Sequence, residues 1–68
     1  MTALNHEVLA QFKSGNLSVF FTFIPMDEAR PYEVEVVLGL ECHCTRYADR
    51  EEAAAHFHEA VKAGLKSI

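Results

Sequence analysis

The sequence predicts a small α+β domain of order αββα: a β-hairpin with a long second strand, packed by two helices and completing a four-stranded antiparallel sheet as a homodimer. Three observations lead there. Two stretches, 17–24 and 31–47, alternate apolar and polar residues with the period of two that marks a half-buried strand. The C-terminal stretch from Asp49 carries an apolar stripe at helical spacing. A shorter stripe of the same kind lies near the N-terminus.

The first helix is expected over Thr2 to Lys13, where Leu4, Val8 and Phe12 recur at four-residue steps with Leu9 beside them. Thr2 or Asn5 would cap it and Gly15 would stop it. Leu17 to Ile24 then places Leu17, Val19, Phe21 and Phe23 on one face of a strand and Ser18, Phe20, Thr22 and Ile24 on the other. Pro25 and Pro31 bound a loop with an acidic tip at Asp27 and Glu28, since neither proline can donate to a ladder. From Pro31 to Tyr47 one long strand is expected. Its even face, from Tyr32 through Val34, Val36, Leu38, Leu40, Cys42 and Cys44, would be core, and its odd face solvent. Placing Ile24 opposite Tyr32 brings Leu17 opposite Gly39, which leaves Leu40 to Tyr47 without a partner in the chain.

Asp49-Arg-Glu-Glu52 has the D-x-x-E spacing of a capping box, in which the aspartate accepts from the fourth residue's backbone N–H. In the helix that follows, Ala53, Ala54, Phe57, Ala60, Val61, Gly64, Leu65 and Ile68 fall within an arc of about 140°, the width of a core-facing stripe. Gly64 is expected to end the regular helix, with Leu65 and Ile68 tucking back. The order helix, strand, strand, helix and the alanine-rich last helix resemble double-stranded-RNA-binding domains. Those domains carry a third strand and lysines at the start of the last helix, whereas this helix opens Asp-Arg-Glu-Glu.

Sixty-eight residues make one domain, spanning 1–68, whose own core is small. Half the residues are hydrophobic and a quarter are charged, the balance of a chain that folds. The net charge of −4 disfavours direct binding to nucleic acid or membrane surfaces, which need clustered Lys and Arg. With neither a charged leader nor an apolar run of about 18 residues, a cytoplasmic, reduced protein is expected.

Cys42-His43-Cys44, with His6, His56 and His58, suggests a metal. A strand sends His43 to the face opposite the thiols, and His56 and His58 flank the last helix on opposite sides, so neither group converges on one ion. Cys42 and Cys44 are therefore expected as small buried hydrophobes, with no metal and no other cofactor. Their thiols would stand about 6.8 Å apart, near the limit for a mutual disulfide. Nothing in the sequence sets a base beside either thiol, so no catalytic residue and no enzymatic activity is expected. Glu52, His56 and Glu59 align on one side of the helix as surface decoration.

The expected function is binding of another protein, one with a basic surface, by a small acidic adaptor or inhibitor. Asp27, Glu28, Glu33, Glu35 and Glu41 would supply the charge, with Phe20 and Val37 as apolar centres. The unpartnered segment with Leu40, Cys42, His43 and Cys44 would form the homodimer interface. Compact, acidic chains of this kind also resemble phage- or mobile-element-encoded inhibitors such as anti-CRISPR proteins, so an inhibitor that blocks a nucleic-acid-binding protein is one alternative. A metal-binding or thiol-active protein using Cys42, Cys44 and a histidine is the other.

Overall fold

A computed structural model describes residues 6–66. Strands β1 (Glu7–Ser14), β2 (Leu17–Phe23), β3 (Tyr32–Leu38) and β4 (Glu41–Tyr47) form an antiparallel sheet in the order β1-β2-β3-β4, and helix α1 (Arg50–Lys66) follows. The α+β class holds, but the order of elements is ββββα. A four-stranded sheet is present, and a single chain completes it.

The first correction concerns Glu7 to Ser14, a strand where a helix was expected. Its register against β2 slips between Val8 and Ala10, so Leu9 is the extra residue of a bulge. The bulge breaks the period of two: Val8 lies opposite Thr22 and Ala10 opposite Phe21, on different faces despite their equal parity. Val8, Leu9 and Phe12 are left at spacings that imitate a helix. Gly15, at φ 59°, turns the chain into β2 instead of stopping a helix. Thr2, Leu4 and Asn5 lie outside the described residues.

The second correction divides the long strand. Gly39 has φ 61° and Leu40 follows it at the tip of a two-residue turn, the glycine-first pattern of type II′. Glu41 to Tyr47 then doubles back on β3, pairing Leu38 with Glu41, Val36 with His43 and Tyr32 with Tyr47. Leu40 to Tyr47 thus has its partner within the chain, and Leu40 itself is fully exposed. Both glycine turns lie at one end of the sheet, where the Gly39 N–H donates to the Asn16 carbonyl at 3.1 Å.

The register of β2 on β3 is also one residue from that expected. Phe23 pairs with Tyr32 and Leu17 with Leu38. Setting Ile24 opposite Tyr32 would have put Phe21 across from Glu35. The observed register joins Val19 to Val36 and Phe21 to Val34, so hydrophobic matching decides it. The inner faces expected for Leu17 to Phe23 and for Tyr32 to Val36 are therefore the ones α1 covers.

Val19 and Val34 are fully buried at the sheet centre, with Phe21, Ala53 and Phe57 around them. Phe57 meets Phe21 with ring centroids 6.1 Å apart. Asp49 caps α1 through its Oδ1, which accepts from the Glu51 N–H at 3.0 Å, one residue earlier than a capping box would have it. The helix continues through Gly64, which is buried against Leu17 and Phe12, and a methyl group there would collide with Leu17 Cδ2. Leu65 is more than half exposed, contrary to its expected place in the core. Ile68 lies outside the described residues. Tyr47 Oη and His56 Nδ1 share a hydrogen bond of 2.9 Å that ties the end of β4 to α1, so His56 is more than surface decoration.

Candidate functional site

The two faces of the sheet differ. Helix α1 covers one, and among the described residues no helix or strand lies over the other. The registers set three rows across this open face: Lys13, Ser18, Val37 and Cys42; Gln11, Phe20, Glu35 and Cys44; Val8, Thr22, Glu33 and Arg46. Phe20, Glu33, Glu35 and Val37 are all partly buried here, so four of the expected partner-binding residues share one surface.

Glu41 does not join them. It pairs with Leu38 and stands on the helix side, because the Gly39-Leu40 turn exchanges the parity of the residues that follow it. The same exchange corrects the cysteines. Cys42 and Cys44 are exposed on the open face, not buried with Val34 and Val36, and His43 projects from the helix side. Leu40 belongs to the turn and not to a strand that could pair with a second copy.

Asp27 is drawn to the end of this face by Arg46, whose Nη1 donates to Asp27 Oδ2 at 2.6 Å and whose Nε donates to Glu33 Oε2 at 3.3 Å. The Arg30 N–H also donates to Asp27 Oδ1, at 3.1 Å. That backbone bond, helped by Arg46, holds the Asp27 carboxyl below its ordinary 3.8. Glu28 stays exposed at the loop tip.

At the β4 edge of the face the Cys42 thiol donates to Glu35 Oε2 at 3.0 Å. That bond, together with desolvation and the neighbouring Cys44, pushes the Cys42 thiol up to about 12. Glu35 Oε, Cys42 Sγ and Cys44 Sγ all lie within 4.8 Å of one another. A strand pair makes this possible, since Glu35 is directly opposite Cys44 and beside the Val37–Cys42 pair. The cluster was hidden from the sequence, whose metal alternative joined Cys42 and Cys44 to a histidine and left Glu35 out. A glycine two residues short of Glu41, read as a hairpin turn, would have revealed it.

A thiol held near 12 is protonated at neutral pH, the wrong state for a nucleophile. Cys42 is therefore expected to alkylate slowly with iodoacetamide near pH 8, and Glu35→Gln to accelerate it by removing the acceptor and its charge. Mass spectrometry of the singly reactive Cys44→Ser background measures this, and equal rates with and without Glu35 would contradict the hydrogen bond.

Comparison with protein-family models, curated proteins and solved structures finds no match to the chain. Among the described residues no helix is long and apolar enough to cross a membrane.

Proposed function

We propose that this chain acts without chemistry of its own, as an adaptor or inhibitor that binds a basic protein through the open face of its sheet. The observation that supports this most is the uncovered face itself. Phe20 and Val37 sit on it half-buried on the two central strands, with Glu33 and Glu35 beside them. An apolar centre within a polar surround is the anatomy of a binding patch. The charge of −4 suits a basic partner. It also favours a narrower form of the reading, an inhibitor that occupies the basic nucleic-acid site of another protein.

The two edges of the sheet add to this. β1 carries a bulge, a common guard against further pairing, whereas β4 has neither bulge, proline nor lysine and is exposed from Glu41 to Thr45. A partner strand adds most readily at β4. A second copy adding there would give a homodimer joined edge to edge through Cys42, His43 and Cys44, in place of one that completes the sheet.

Val37→Asp combined with Glu35→Lys changes the apolar centre and the charge without touching the core. The pair is expected to abolish capture of a basic protein from the native host while leaving the melting temperature within a few degrees, as surface changes do. Capture that survives both changes would sink the reading. For the inhibitor form, the captured protein should lose nucleic acid in proportion to the amount of this chain added.

A further inference from the structure

We infer that Glu35, Cys42 and Cys44 form a site for a thiophilic divalent cation, Zn²⁺, on the open face of the sheet. Their ligand atoms already converge within 4.8 Å, and Glu35 Oε2 and Cys42 Sγ stand 3.0 Å apart. A tetrahedral ion with bonds of about 2.0–2.3 Å holds neighbouring ligands roughly 3.5–3.8 Å apart. The three groups need move by about an ångström or less to meet it. Cysteine and carboxylate ligands in a set of three, with a fourth position open to water, suit zinc better than the hard cations that take oxygen alone.

The fold supplies the arrangement from rigid parts. Cys42 and Cys44 are two residues apart on β4 and point to one side, and the β3–β4 ladder sets Glu35 directly across from Cys44. Both cysteines are exposed, so an ion enters from solvent. On binding, the ion takes the place of the thiol protons, which leave to water, and Glu35 exchanges its contact with the Cys42 S–H for one with the metal.

Titration of the reduced full chain with Co²⁺, as a coloured substitute for Zn²⁺, tests the site. One ion per chain is expected, with the near-ultraviolet charge-transfer absorption of cobalt–thiolate bonds, and Zn²⁺ should bleach it. Cys42→Ser and Cys44→Ser should each abolish the thiolate band of the site. Glu35→Gln should weaken binding by about tenfold or more, since even outer-shell partners of a metal are worth that much. His43→Ala, on the opposite face, should change nothing. Circular dichroism should be the same for all four variants, because none of these side chains is in the core. The inference is overturned if no thiolate band forms, if binding depends on His43 and not on Glu35, or if it saturates at one ion per two chains. Protein capture by the Val37→Asp variant separates this outcome from that of the binding reading, since Val37 contributes no ligand.

Discussion

Phe57→Ala is expected to leave the chain largely unfolded at room temperature. Phe57 is only 9% exposed and is the one large residue that α1 inserts between Phe21 and the helix backbone, so its loss opens a cavity instead of a solvated gap. Truncating a buried phenylalanine costs about 3–5 kcal/mol. A chain of 68 residues has a total stability of roughly 3–10 kcal/mol at typical values per residue. The other residues of the helix stripe packed at the core, Ala53, Ala54, Ala60 and Val61, are too small to compensate. Urea unfolding followed by circular dichroism reads the effect, with Phe57→Leu retaining a cooperative transition because it keeps most of the volume. A Phe57→Ala protein within about 1 kcal/mol of the parent would mean that α1 is not what closes the core.

The C-terminal helix was legible in the sequence, as was much of what it covers, but the sequence set a second helix beside it where β1 lies. The alternation of Leu17, Val19, Phe21 and Phe23 and of Tyr32, Val34, Val36 and Leu38 marks two strands with a definite inner face, and Asp49 marks where the helix begins. Glu33, Glu35 and Val37 share a face as the parity within β3 requires, whereas Phe20 joins them only through the observed register of β2 on β3, one residue from that expected. The failures share one physical origin. Parity arguments hold only as far as the chain stays extended, and both a bulge at Leu9 and a turn at Gly39 reset it. Once reset, the inference about every residue downstream inverts, which is why Cys42, Cys44 and Glu41 were each assigned to the wrong side. Length was an available warning: a strand from Pro31 to Tyr47 is about three times the ordinary 5–6 residues. The bulge left no comparable signal, since Val8, Leu9 and Phe12 fit a helix as well as an interrupted strand.

Gly39→Val separates the two readings of that long stretch by the sign of its effect. In a continuous strand, replacing an interior glycine by a β-branched residue stabilises, because it removes backbone entropy from the unfolded chain and adds a side chain that suits the pleat. At φ 61° the same change forces valine into a region that β-branched residues avoid, at a cost of about 1–3 kcal/mol. No heavy atom outside its immediate neighbours lies within 4 Å of a Cβ built there, so the cost is conformational and not steric crowding by neighbours. Gly39→Asn, which tolerates positive φ, should lose much less. The turn holds Cys42 and Cys44 on the face with Glu35, so the destabilised variant should also bind Co²⁺ less well under conditions that populate its unfolded state. An increase in the urea midpoint for Gly39→Val would restore the single long strand and return the cysteines to the core side, dissolving the metal site with it.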